Sequence, residues 1–137
     1  SARESFKLID FEYPLSIAKL AYDSGARSIA LVSAVGAQEG SFNYYFHIKG
    51  KLENEIKKIG YENMCFARPG HLLGERKDFR GYEIPILESG LRFAAPFMQG
   101  PLTNFRQVEA KQVAKSMIKN IRSHNKGESY MYYEDFL

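Results

Sequence analysis

SAVGAQEGSFNYYFHIK, residues Ser33–Lys49, joins a strand-like run to a helix-like one. The run before it, Arg27–Val32, has an unbroken apolar centre, Ile29-Ala30-Leu31-Val32, suited to a parallel sheet covered on both faces. The run after it, from Tyr44 to Ile59, places Tyr45, Ile48, Leu52, Ile56 and Ile59 on one helical face. Lys49 falls in the same sector, about 40° from Tyr45 at ~100° per residue. Lys51, Lys57 and Lys58 fall outside it. A lysine on a buried stripe needs a partner or a task, because lysine is almost never fully buried alone. A task in chemistry is favoured here over a side chain that snorkels from the edge of the core.

Three side chains in this stretch suggest what the task is. Tyr45 and Lys49 sit one helical turn apart and can act on one bound molecule. A tyrosine hydroxyl titrates near pH 10, too high for proton exchange at neutral pH unless a positive charge favours the phenolate. Lysine supplies that charge, and its other protons can reach a ribose hydroxyl. Ser33, at the carboxyl end of the strand, can hold a substrate oxygen beside the tyrosine. Together they suit proton transfer coupled to hydride transfer at a carbonyl or alcohol carbon.

The intervening loop, Ala34–Phe42, is longer than a usual strand-to-helix connection and contains Gly36 and Gly40, where backbone can approach a ligand. Ser41 is expected in the N-cap region of the helix. The next strand, Glu62–Ala67, ends at Arg68-Pro69-Gly70, a sharp exit at the same sheet rim as Ser33. Ligands of open α/β sheets collect at that rim.

With Ser33-x-x-Gly36, Tyr45-x-x-x-Lys49-Gly50 and Arg68-Pro69-Gly70, the chain resembles the short-chain dehydrogenase/reductase superfamily. More narrowly, it resembles the atypical, Tat-interacting-protein-like oxidoreductase branch and epimerase-like relatives. The resemblance runs from about Phe6 to the end and is strongest over Leu31–Gly74. It implies an α/β fold, the C-terminal portion of a Rossmann-like doubly wound parallel sheet with flanking helices. It also implies catalytic roles for Ser33, Tyr45 and Lys49. Tyr45, Lys49, Pro69 and Gly70 would contact a nicotinamide cofactor, NADP ahead of NAD, beside an unknown small-molecule substrate. The family's glycine-rich fingerprint is absent from these 137 residues. They are therefore expected to form the carboxyl-terminal catalytic and substrate portion, 1–137, of a single NAD(P)-binding domain whose first βαβαβ half is missing. In that case one edge of the central strand Arg27–Val32 would lack its neighbour.

Hydrophobic residues at 45% are ordinary for a globular chain, and a net charge of +3 without a basic run gives no nucleic-acid footprint. The single cysteine, Cys65, excludes an intramolecular disulfide and a cysteine-based zinc site. His47, His71 and His124 have no metal-ligand spacing, so no metal is expected. Neither is a membrane span, and a cytoplasmic setting is the default. Elsewhere, Ser1–Ile9 reads as a mixed-charge lead-in, and a helix follows from Tyr13 or Pro14 to Asp23. His71–Phe79 reads as a polar loop with Arg76, Lys77 and Arg80 exposed, Tyr82–Phe97 as a helix, and Pro101–Val108 as extended. A further helix is expected over Glu109–His124, with an apolar stripe and lysines opposite, then a strand over Ser129–Tyr133 and an exposed tail. Two other functions fit the same residues: an NADP(H)-binding regulator or scaffold with little turnover, and a nucleoside-diphosphate-sugar epimerase. A plain interaction domain is the third alternative.

Overall fold

The computed structural model describes residues 1–73, 107–123 and 125–137. Their elements, in order, begin with α1 (Ala2–Lys7), a π-helical segment (Leu8–Glu12) and α2 (Tyr13–Asp23). Next come β1 (Ser28–Val32), α3 (Tyr44–Lys57), β2 (Asn63–Ala67) and β3 (His71–Leu73). After these come β4 (Gln107–Glu109), α4 (Ala110–Arg122), β5 (Gly127–Met131) and a closing 3-10 turn (Tyr133–Phe136). Strands β1, β2 and β5 form a parallel sheet in that order, with Ser28 opposite Asn63 and Asn63 opposite Gly127. β3 and β4 form a separate parallel pair. This is an α/β architecture with helices on both faces of a small parallel sheet, consistent with part of a Rossmann-like fold.

The side chains of β2 alternate between two cores. Met64 and Phe66 pack with Phe6, Phe11, Ile48, Leu52 and Ile56 beneath the first helices and α3. Ala67 faces Val108, Val113 and Phe136 on the other side, under α4. Tyr61 ties α2 to the entry of β2: its hydroxyl donates to the Ala18 carbonyl at 2.7 Å.

Several expectations need correction. The lead-in is helical: Ser1 Oγ accepts from the Glu4 amide at 3.2 Å, and Ser1 and Glu4 form a capping box, a signal present in the S-x-x-E spelling. α2 itself spans Tyr13–Asp23 as expected, with Pro14 in its first turn, but it continues the preceding π-helical segment without a break. Proline has no N–H and crowds the carbonyl four residues back, here Asp10. The run widens just before it, with the Tyr13 amide donating to the Leu8 carbonyl, five residues back.

β1 has one open edge among the described residues, in line with the expectation, but the burial expected on both its faces is not met, and none of its residues is fully buried. The cap of α3 is Asn43, not Ser41: Asn43 Oδ1 accepts from the Phe46 amide at 3.2 Å, while Ser41 Oγ accepts from Asn43. His71–Leu73 is strand rather than loop, and β5 begins at Gly127, two residues earlier than expected. Of the α4 stripe, only Val113 is fully buried, and Ile118 is exposed. Arg76, Lys77, Arg80 and the expected helix Tyr82–Phe97 lie outside the described residues, as does most of Pro101–Val108.

The expected tail is exposed at Glu134, Asp135 and Leu137, but Phe136 belongs to the core. Phe136 retains 2% of its exposure. Its 3-10 turn is closed by Asp135, whose carboxylate accepts from the Tyr132 amide at 2.8 Å. Phe136→Ala should therefore destabilise the protein by about 3–5 kcal/mol in chemical denaturation. A residue in an exposed tail would stay within about 0.5 kcal/mol.

Candidate functional site

Two loops meet at the carboxyl rim of the sheet. The Ser33 amide donates to the Ala67 carbonyl at 2.7 Å, and the Val35 amide donates to the Pro69 carbonyl at 3.2 Å. The exit of β1 is thereby laid beside the exit of β2. Ser33 is buried, and its Oγ has no hydrogen-bond partner among the described residues. A buried hydroxyl in that state has an unmet requirement that a bound ligand can satisfy. Pro69 is buried and Gly70 partly so, on the same rim.

α3 is held against the first of these loops by unusually close backbone contact. The Gln38 amide donates to the Phe46 carbonyl at 3.0 Å, and His47 Nδ1 contacts the Glu39 carbonyl. Gly50 faces the loop one turn on. A methyl group there would lie 2.4 Å from both the Gln38 carbonyl carbon and the Glu39 nitrogen.

Tyr45 and Lys49 share a face of α3. Lys49 Nζ lies 5.6 Å from the centre of the Tyr45 ring, within the range of a cation–π contact. The ring stacks on Phe6 of α1 at 5.5 Å and meets Phe46 edge-on at 5.4 Å. Tyr45 keeps 39% of its exposure, whereas Lys49 keeps 9%. The lysine has the buried partner that its position required: Nζ stands 3.3 Å from Asp10 Oδ1, and both side chains are nearly excluded from solvent. Asp10 was not singled out in the sequence, because it lies beside the stretch read as lead-in.

One turn beyond Lys49, buried Glu53 accepts from Arg68 through both oxygens, with Nε at 3.1 Å from Oε2 and Nη2 at 2.5 Å from Oε1. Arg68 also donates to the Tyr132 hydroxyl at 2.7 Å and lies over the Tyr130 ring. Burial works against the guanidinium charge, but its hydrogen bonds to Glu53 and Tyr132 outweigh that and raise its pKa further. Arg68 is thus a brace between α3, β2 and the chain after β5. Cys65 is buried beside β5, and burial pushes its thiol up, as expected of an inert apolar residue.

The structure thus defines an α/β protein in which two loops meet at the carboxyl rim of a parallel sheet and α3 carries a buried lysine paired with a carboxylate. No family model matches the chain. Over 126 residues it is 36% identical to Protein FMP52, mitochondrial, of Candida albicans, covering 91% of this chain and 54% of that protein. Protein FMP52, mitochondrial, of Debaryomyces hansenii is 41% identical over 85 residues, 62% of this chain and 38% of its own length. The Meyerozyma guilliermondii protein of the same name is 34% identical over 117 residues, 84% of this chain and 49% of its own length. The chain spans about half the length of the curated relatives that match it most extensively.

These names correct two expectations. The relatives are FMP52 proteins, and none of the names carries the dehydrogenase/reductase or Tat-interacting-protein-like assignment that the motifs suggested. The names also place the relatives in mitochondria, against the cytoplasmic default.

Gly50 offers a direct check on the loop. Glycine-to-alanine in a helix interior normally stabilises by about 1 kcal/mol. Here backbone, which cannot rotate away, occupies the space, so Gly50→Ala should instead destabilise by about 1–3 kcal/mol. Amide hydrogen exchange over residues 34–42 should rise in that variant. Faster exchange elsewhere with this loop unchanged would contradict the packing.

Proposed function

We propose that Ser33, Tyr45 and Lys49 form the acid–base centre of an NAD(P)-dependent oxidoreductase acting at a carbonyl or alcohol carbon. The observation that supports this proposal is a buried lysine ammonium beside a half-exposed tyrosine one helical turn away. A phenol with an adjacent cation and solvent access can exchange a proton with a ligand oxygen. The unmet Ser33 hydroxyl can align that oxygen.

These residues fit the nicotinamide end of a dinucleotide. When bound, that group supplies or accepts the hydride. Tyr45 gives a proton to the oxygen of a carbonyl being reduced, or takes one from an alcohol being oxidised. Lys49 donates hydrogen bonds to ribose hydroxyls and favours the ionised tyrosine. Pro69 and Gly70 line the rim with a surface short of donors, suited to a ring face. NADP is placed ahead of NAD.

The remainder of the dinucleotide needs a pyrophosphate cradle, and residues 1–137 are proposed to act as one portion of a larger NAD(P)-binding domain. The length of the relatives supports this. Their names also support a mitochondrial location for this protein.

Tyr45→Phe keeps the ring and its stacking on Phe6 while removing the exchangeable proton. Turnover of NADPH with a responsive aldehyde, ketone or quinone should fall at least ~100-fold, with NADPH affinity nearly unchanged. Full turnover in Tyr45→Phe would remove the tyrosine from the mechanism. NADPH binding without turnover of any such substrate would favour the regulatory alternative.

A further inference from the structure

We infer that Asp10, delivered by the π-helical segment, is a positioning residue that holds the Lys49 ammonium over Tyr45, an inference that rests on the role proposed for Lys49. Two separate observations meet here. The first is the buried ion pair, 3.3 Å from Nζ to Oδ1. The second is the backbone that presents the carboxylate. Here Asp10 and Phe11 are both buried, on a turn widened to a five-residue hydrogen bond ahead of Pro14. Short π-helical turns of this kind are often found at functional sites.

Stability alone is a poor reason for the pair. Both charges lose their water, and a well-packed apolar pair of similar volume is often as stable or more so. A carboxylate does what an apolar group cannot: it keeps the amine charged and fixes its direction. Asp10 approaches from the first helical run and Tyr45 from α3 itself, so the ammonium is set between a carboxylate and an aromatic face. Phe6, from the same run as Asp10, stacks on that ring. One helical unit therefore sets both the phenol and the cation beside it. Asp10 touches no reacting atom in this scheme and acts through Lys49.

The test is a double-mutant cycle of Asp10→Asn and Lys49→Met in the intact protein, read by thermal unfolding and by the ring resonances of 13C-labelled tyrosine. The Tyr45 signal is assigned by its loss in Tyr45→Phe. Asp10→Asn should lower Tm by at least about 5 °C in the wild-type background and by under about 2 °C beside Lys49→Met. It should also move the Tyr45 resonance in the same direction as Lys49→Met does, with no further movement in the double variant. Equal Tm losses in both backgrounds, or an unmoved Tyr45 resonance, would overturn the inference. Asp10→Glu keeps the charge and should hold the Tyr45 resonance near its wild-type position. If Asp10→Asn does not fold, this variant decides: a Tyr45 signal displaced as far as in Lys49→Met overturns the inference.

Fluorescence titration with NADPH separates this inference from the function proposed above. Lys49→Met and Asp10→Asn should each weaken binding about tenfold, without adding in the double variant. If Lys49→Met leaves NADPH affinity unchanged, the cofactor role of Lys49 fails, while Tm and the Tyr45 resonance still decide whether Asp10 positions it.

Discussion

Strand β2 is paired along both edges and covered on both faces, and all five of its residues are buried. Its position fixes the other elements. β1 and β5 take their register from it, and its alternating side chains divide the interior into two cores. Its carboxyl end leads directly into Arg68 and Pro69, which reach the two loops and α3. The polar rim is therefore anchored in the least yielding part of the sheet. Side chains and loops that must hold a geometry are better placed on such a support than on a free loop.

The part of the fold that could be read from sequence is the part governed by local periodicity. The apolar run Ile29–Val32, the stripe Ile48, Leu52 and Ile56, and the turn at Pro69-Gly70 each carry their own signal, and each lies in or beside the expected element. Lys49 was marked by its place on that stripe, and its burial agrees. Legibility failed where tertiary contact overrides the local pattern. Glu134-Asp135-Phe136-Leu137 looks like a polar tail, yet one phenylalanine among charges closes a core. Pro14 marks the first turn of α2 as expected, but nothing local announces the helical run that leads into it through a widened turn. Asp10 is an ordinary acidic residue in a mixed-charge segment, and only a contact 39 positions away in sequence gives it meaning.

The family resemblance shows another limit. Short spellings around serine, tyrosine and lysine describe how a site can be laid out, and the same layout can occur under more than one name. The names of the matching proteins, FMP52 and mitochondrial, state a location and no reaction. The chemistry proposed for Ser33, Tyr45 and Lys49 therefore stands on charge, burial and reach alone. The brace of Glu53 and Arg68 belongs to the same layout without touching its chemistry. By tying α3 to β2, it keeps Lys49 and Tyr45 at a fixed height above the sheet.

The strand order also bears on how the chain assembles. From Ser28 to its partner Asn63 is 35 positions, and from Asn63 to its partner Gly127 is 64. Closing the longer loop carries about 0.5 kcal/mol more entropy loss than closing the shorter one. The short closure also brings α3 with it, and α3 lies between the two strands in sequence and covers them in space. The β1–α3–β2 unit thus has a kinetic head start as a nucleus, with β5 and the Phe136 turn docking onto an edge already formed. Until they dock, that edge of β2 carries unpaired amide and carbonyl groups beside Phe66 and Cys65. This is the interval in which a nascent chain is most open to capture by another strand.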